Sequence, residues 1–486
     1  MTLSREVARH ARDVPTSPAL IGTAGSLTWH EYHDRANAVA AALVRAYPPR
    51  GTRVAIQMPD GPDVHLLYLA AERAGLVVVG IGPRAGAREV DHLVTATGAV
   101  DLITALPTIE ADAPSLDPAR AFTADELWFL NSTSGTTGLP KIVMHHQARW
   151  YAFHELAVAT GALTSTDVFM SVLPAPFGFG LWTAHFTPTI LGAPCVLLDH
   201  FTPEAVLAAI EAHHVTVLAA VSTQFVMMLN SPAIDAYDLS SLRVLYTGGE
   251  MVAYARASEF EDRTGARVLQ FYGSNETGAL SATSLDDDRD TRLRTGGHVI
   301  PSMQVRLLDP DTGADITAVG GPGVAACRGA LNCLGYYHDD AANAQLFTAD
   351  GWMRTGDLCT IDSTGVLTVA GRTSDFIIRG GKNISAAQVE AEVASHPSVA
   401  LCAAVAMPDT VFGERVCVYI VARDGCIPLD LDRLRAHLEA RGVGKELWPE
   451  HVVIVAGDLP RASGGKVAKA ALRSDAAAIS TSTRGA

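Results

Sequence analysis

Ser132-Thr133-Ser134-Gly135-Thr136-Thr137-Gly138-Leu139-Pro140-Lys141 sets hydroxyls, glycines and one lysine into a single short run, following the apolar Leu127-Trp128-Phe129-Leu130. Glycines let backbone N–H groups turn toward an anion, hydroxyls add donors, and the ammonium adds charge. In chemical terms this is a loop for holding a polyphosphate. It is not a Walker A loop, because Lys141 follows proline instead of glycine and Ile142 follows it. The bland alternative is a polar surface turn. Lysine is scarce: Lys141, Lys382, Lys445, Lys466 and Lys469 are the lysines among 37 Lys and Arg. A flexible point charge in a glycine-containing segment, as at Lys141 and Lys466, is then a candidate for chemistry as well as for a solvated surface.

On both sides of this loop the chain has the texture of an α/β protein. Residues 54–58 and 76–82 read as strands, and 62–75 and 87–97 as amphipathic helices. The same alternation returns over 194–246, which predicts mainly parallel sheets covered by helices. After Gly297 short strands with turn signals (Asp309–Asp315, Val319–Gly323) predict a β-rich region. From Ser385 onward the order helix, strand, strand, helix, strand predicts a compact α+β module, with a boundary at Gly371–Asp375. The expected division is therefore 1–371 and 372–486. The apolar stretch 170–198 is broken by Pro174, Pro176, Pro188 and Pro194 and carries His185, so it reads as core strands and turns and not as a membrane span. The last residues, 480–486, read as a frayed tail.

A chain of 486 residues is too long for one ordinary core, and 48% hydrophobic with 18% charged residues is a globular composition. A net charge of −15 argues against nucleic acid as a partner. The cysteines (195, 327, 333, 359, 402, 417, 426) contain no CxxC pair and fit reduced thiols in a cytoplasmic protein. The opening residues carry charges where a signal peptide needs an apolar core.

Four more segments carry candidate chemistry. In Phe271-Tyr272-Gly273-Ser274-Asn275-Glu276-Thr277-Gly278 an aromatic beside glycine suits a flat base, and Glu276 suits Mg²⁺ on a phosphate, although a plain strand end and turn would look the same. In Gly351–Leu358, Asp357 can accept from vicinal ribose hydroxyls or be an ordinary turn residue. In Gly371-Arg372-Thr373-Ser374-Asp375, leading to Gly380-Gly381, Arg372 can serve phosphate or ribose, and the glycines permit close approach. In Leu459–Lys466, Lys466 follows two glycines near the chain end. The pairs His145-His146 and His213-His214 read as polar or packing residues, and Asp286–Asp288 as a solvated turn. No GxSxG elbow is present, which disfavours a serine hydrolase.

Taken in this order, the five segments resemble the acyl-adenylate-forming superfamily of acyl-CoA synthetases and adenylation domains, and the resemblance covers nearly the whole chain. It implies a large N-terminal domain, a small mobile C-terminal domain, and two half-reactions. A carboxylate attacks the α-phosphorus of ATP to give acyl-AMP and pyrophosphate, and a thiol then displaces AMP. It implies that Ser132, Thr133, Ser134, Gly135, Thr136, Thr137, Gly138 and Lys141 handle the β- and γ-phosphates. Gly248, Gly249, Glu250 and Tyr272 would frame adenine. Glu276 would help hold Mg²⁺, with Gly273 and Asn275 in the same segment. Asp357 would bind ribose, Arg372 ribose or phosphate, and Lys466 would be the adenylation lysine. Ser374 would stand at the hinge, Gly380 and Gly381 in the thiol tunnel, and Phe177, Phe179 and Gly273 about the acyl pocket.

The chain departs from the family pattern at several positions. Ser374 stands where Asp or Lys is usual, Asn275 where Thr is usual, and Ile142 where a Gly is usual. Ala462 and Gly464 replace Thr and Ser before Lys466, Lys382 replaces Glu, Ala386 replaces Pro, and Phe177 replaces a common His. The style of the 377–381 and 412–416 segments favours coenzyme A as the acceptor. A carrier protein acting in trans, another nucleophile capturing the adenylate, or a binding protein without turnover are the competing readings. Phe177, Phe179, Trp182 and Phe225 point to a hydrophobic carboxylic acid.

Overall fold

The computed structural model describes residues 2–109, 116–133, 140–250, 252–372, 375–380, 382–427, 429–461 and 467–482. The expected loop residues Ser134, Gly135, Thr136, Thr137 and Gly138, the hinge Ser374, Gly381 and Lys466 lie outside them.

Strands Leu102–Ile103, Arg53–Ile56, Val77–Gly80 and Leu127–Ser132 pair in parallel, and Ile142–His146 closes the edge antiparallel. Between them runs the helix Pro62–Ala74, with proline in its first turn and Gly75 in the left-handed conformation at its end. Every residue from Val64 to Ala74 is buried, which explains its nearly continuous apolar sequence. A nine-stranded sheet forms the second layer. Its centre is parallel (Arg267–Ser274, Val244–Gly248, Val217–Ala219, Phe169–Ser171, Cys195–Leu197, Pro18–Gly22), and its edge strands are antiparallel. Strands Met303–Leu308, Gly323–Gly329, Met353–Ile361 and Leu367–Arg372 make the expected β-rich region, and they pair antiparallel.

The C-terminal segment has a sheet and hydrophobic clusters of its own. Strands Val399–Asp409 and Gly413–Ala422 form its hairpin, and Ile377, Val389, Val418 and Leu434 are among the residues of one core. Tyr419, Leu459, Leu472 and Ala476 sit in another on the opposite face.

Two expectations are corrected. The stretch 170–198 has strands only at its two ends, Phe169–Ser171 and Cys195–Leu197: between them Gly178–Gly180, Leu181–Phe186 and Thr187–Leu191 run on as one helical segment with a wide π turn. Pro188 sits at the start of its last piece, where a missing N–H is tolerated, so prolines that look like breakers flank the helix or open a turn. The tail is not frayed from Ser480, because the last helix continues to Ser482 and the Ser480 hydroxyl donates to the Pro408 carbonyl at 2.7 Å.

The large and small parts touch through named polar groups. Glu259 accepts from Arg256 at 2.6 Å and from Arg423 of the C-terminal sheet at 3.0 Å. Arg256 also donates to the carbonyl of Val399.

Candidate active site

The strands Val244–Gly248 and Arg267–Ser274 end side by side, and the mouth of a parallel sheet is where ligands of such folds bind. A cavity of about 370 Å³ opens there, between the large part and the C-terminal segment. Its near wall includes Gly249, Glu250, Phe271, Tyr272, Gly273 and Asp357. Its far wall carries Ala403, Glu390, Val467, Ala468 and Lys469. This one space brings together the expected Gly249, Glu250, Tyr272, Gly273 and Asp357, whose ends lie more than 100 residues apart in the sequence.

Tyr272 donates its hydroxyl to Asp357 Oδ2 at 2.9 Å. Burial, aided by the charge of Asp357, pushes the Tyr272 hydroxyl well above its ordinary range, so it remains a donor. Asp357 is 6% exposed and sits across an antiparallel pair from Arg372. A carboxylate held in place by a phenol, beside a flat ring and a glycine, suits a ribose next to a base. Gly248 is required by the packing: a methyl there would fall 2.6 Å from the Phe271 carbonyl oxygen. Glu250 turns its Oε1 to the start of the helix Ser222–Asn230, accepting from Ser222 Oγ at 2.6 Å and from the Thr223 N–H at 3.4 Å. A carboxylate is favoured at that helix end.

The expected phosphate loop has Thr133 and Lys141 bonded at its base. The Thr133 N–H donates to the Lys141 carbonyl at 3.0 Å, and the Lys141 N–H to Thr133 Oγ1 at 3.3 Å. Ser132 points elsewhere, its hydroxyl donating to Glu89 at 3.4 Å. The Lys141 ammonium lies over the ring of Tyr336 at 4.8 Å, and the Tyr336 hydroxyl donates to Glu276 Oε1 at 2.7 Å. Tyr336 therefore links the loop lysine to the expected metal carboxylate. Sequence reading missed it; its signal was only an aromatic after glycine in Leu334-Gly335-Tyr336-Tyr337.

No cluster of three or more metal-ligating side chains occurs among the described residues. Glu276 alone nevertheless fits Mg²⁺, which keeps waters and phosphate oxygens and needs one or two protein carboxylates.

Asn275 exchanges amide hydrogen bonds with Asn131, giving one at 2.7 Å and receiving one at 3.3 Å. Asn131 also donates to the Pro176 carbonyl at 2.9 Å and accepts from His145 Nε2 at 2.8 Å. His145 is fully buried, and burial together with the Arg149 charge keeps its ring neutral. It is thus part of a polar chain and not plain packing. Burial pulls Arg149 down to about 10, which still leaves a cation at neutral pH.

Phe177 and Phe179 are not among the residues that line the cavity. Phe177 lies against Gly82, and Phe179 packs edge-on to Phe271 at 4.7 Å and beside Trp182 at 5.7 Å, so it backs the wall that Phe271 forms. Phe225 does line the cavity. Gly380 lies apart from it, exposed, with its N–H donating to the Phe412 carbonyl at 2.8 Å. On either side of 462–466, Arg461 bridges Val467, and the Ala468 N–H donates to the Pro460 carbonyl at 2.7 Å. The far-wall cations are paired: Lys469 with Glu390 at 2.7 Å and Arg473 with Asp375 at 3.1 Å. All seven cysteines are free, and no described helix is long and apolar enough to cross a membrane.

Comparison with known proteins agrees with this geometry. Residues 7–337 match the AMP-binding enzyme family, and residues 388–466 match the AMP-binding enzyme C-terminal domain. The chain is 31% identical to a medium-chain fatty-acid–CoA ligase of Escherichia coli (strain K12), over 96% of this chain and 88% of that one. It is 30% identical to a 2-hydroxy-7-methoxy-5-methyl-1-naphthoate–CoA ligase of Streptomyces carzinostaticus, over 99% and 94%. Its fold matches the crystal structure of the anthranilate CoA ligase AuaEII in complex with anthranoyl-AMP, with a TM-score of 0.91, 23% identity, and coverage of 99% and 98%. The chain belongs to the AMP-binding enzymes of the acyl-adenylate-forming superfamily, the ATP-using acid–thiol ligases that release AMP.

Proposed function

We propose that this protein is an ATP-dependent carboxylic acid:CoA ligase acting on a hydrophobic acid in the cytoplasm. The observation that carries the reading is the cavity in which Tyr272 holds Asp357 while Val467, the neighbour of Lys466, approaches from the C-terminal segment. Asp357 takes the ribose hydroxyls, with Arg372 beside it on the ribose or the phosphate. Gly248, Gly249, Glu250 and Tyr272 frame the adenine, and the loop from Thr133 to Lys141 grips the β- and γ-phosphates. Magnesium, held by Glu276, would offset charge on the triphosphate. Lys466 steadies the acid's carboxylate and the charge that develops as it attacks the α-phosphorus; one such group contributes about 10²–10³-fold in rate. Acyl-AMP and pyrophosphate result.

The second half-reaction needs Lys466 withdrawn and a thiol admitted. We assign the small domain to 372–486, its hinge to Ser374, and the thiol path to Gly380 and Gly381. One site then serves two reactions by rotation of a lobe. Coenzyme A is the assigned thiol. The aromatic wall of Phe271 backed by Phe179, with Phe225 on the cavity, supports an apolar acid.

The test is a panel of aliphatic, aryl and polycyclic acids screened by pyrophosphate release, followed by mass detection of the CoA thioester. Release with a hydrophobic acid, its near-complete loss in Lys466→Ala, and a CoA thioester are expected. Release without any CoA thioester would move the assignment to a carrier protein or another nucleophile. No release with any acid would refute turnover.

A further inference from the structure

Arg149 is 1% exposed and makes no ion pair among the described residues: Nη1 donates to the neutral His145 ring at 2.5 Å and to the Asn275 carbonyl at 3.1 Å. Its plane lies over Trp150 at 4.8 Å and Phe153 at 5.8 Å, and its Nε finds no partner among the described residues. Burying an ion in such surroundings is expensive, and a well-packed apolar side chain of similar volume would often be as stable or more so. The charge therefore calls for an account beyond packing.

The hydrogen bonds form a closed circuit. Arg149 donates to His145, His145 to Asn131, Asn131 and Asn275 exchange amide bonds, and Arg149 returns to the Asn275 carbonyl. The circuit grips Asn275 at both backbone and side chain, one residue before Glu276. Among the groups whose charge acts on Arg149, the carboxylate is that of Glu276. That carboxylate also accepts from the Tyr336 hydroxyl at 2.7 Å. Asn131 precedes Ser132, so the same circuit ties the end of the strand Leu127–Ser132 to the Glu276 turn.

We propose that Arg149 is a positioning residue for metal–nucleotide binding: from behind the turn it fixes Asn275 and counter-charges Glu276, so that Glu276 meets a nucleotide-bound divalent cation in one geometry. The inference rests on the ligase reading above. Groups that orient a metal ligand contribute about 10–100-fold to metal affinity or activity.

Calorimetric titration of the full chain with ATP, once with Mg²⁺ and once with EDTA, separates this from a merely structural role. Arg149→Met should weaken MgATP binding about 10-fold while leaving metal-free ATP within about twofold. The Mg²⁺ concentration for half-maximal pyrophosphate release should rise by a similar factor. Arg149→Lys, which keeps the charge, should stay within about threefold of wild type in MgATP binding. Should Arg149→Met fail to fold, Arg149→Gln, which keeps an N–H donor without charge, takes its place with the same expectation. A folded uncharged variant that binds MgATP like wild type, or that loses both forms of ATP equally, overturns the proposal. Wild-type protein that binds ATP in neither condition sinks the ligase reading, and the inference with it; wild-type binding with unchanged variants sinks the inference alone.

Discussion

Replacing Gly273 with alanine should stop acid activation while leaving the fold in place. An added methyl would lie 1.8 Å from the Gly278 carbonyl oxygen, 2.7 Å from its carbon and 2.9 Å from the Ala279 Cα. All three are backbone atoms of the paired strand Gly278–Ala282, so no side chain can swing aside. Cβ contacts below 3.0 Å are not seen, so the strands must part by about 1.2 Å. The turn between them carries Asn275 and Glu276. The bonds Asn275–Asn131 and Glu276–Tyr336 are each 2.7 Å, and a stretch of this size takes both out of hydrogen-bond range. Losing them removes about 1 kcal/mol each, which a protein of this size tolerates with a modest fall in melting temperature. The rate should suffer far more, since a misplacement of about 1 Å can lower it by about 10²-fold. Pyrophosphate release at saturating ATP and acid, beside circular dichroism, reads both effects. Gly86→Ala is the control, because its methyl meets nothing within 4 Å. A Gly273→Ala enzyme within about threefold of wild type would refute the geometric reasoning.

Asp357→Ala should raise the KM for ATP by roughly 10–100-fold through loss of charge-assisted hydrogen bonds worth about 1.5–3 kcal/mol, with kcat changed less; initial rates against ATP check this. Asp60, half-buried, accepts from the Ala175 N–H at 2.7 Å, yet burial pushes its carboxyl up to about 6 from an ordinary 3.8. The folded protein thus holds that proton more tightly than the unfolded chain, so the stability it contributes is full below pH 3.8 and is lost as pH rises through about 6. Asp60→Asn should therefore match wild type in unfolding free energy at pH 4 and exceed it at pH 7–8, by about 1–2 kcal/mol after solvent screening, as denaturant titration at the two pH values reads. Glu259→Gln removes the negative charge shared by Arg256 and Arg423, ion pairs worth about 1 kcal/mol at partial exposure, and should weaken the hold between the lobes about fivefold. Förster transfer between dyes on the exposed Cys426 and on an introduced Asp311→Cys reports that shift, and an unchanged distribution would contradict it.

The periodicities of 54–97 and 194–246 were enough to read the layered α/β architecture, because a helix and strand each impose their own local spacing. The helix Ala87–Thr97 falls where its pattern placed it. Residues 178–191 misled because Gly178, Gly180 and Pro188 look like turn formers, while burial of Leu181, Trp182 and Phe186 holds the segment helical. Asp357 and Tyr272 were each legible as residues, but their hydrogen bond spans 85 positions and belongs to the fold. Tyr336 escaped notice because its partner Glu276 is 60 residues away. The Arg149 circuit was invisible for the same reason: Asn131 and Asn275 are 144 residues apart, and a histidine pair on a strand carries no local sign of which ring is buried. Ser132 reads as a phosphate donor by composition, yet its hydroxyl faces Glu89, since alternate residues of a strand point to opposite faces.

The most direct test of the whole account is a crystal structure with AMP and pyrophosphate. It should hold the ribose hydroxyls on Asp357, the adenine beside Gly249 and Tyr272, and the pyrophosphate between Thr133 and Lys141. A nucleotide bound elsewhere, with Asp357 bonded only to Tyr272 and the base of the phosphate loop empty, would contradict it.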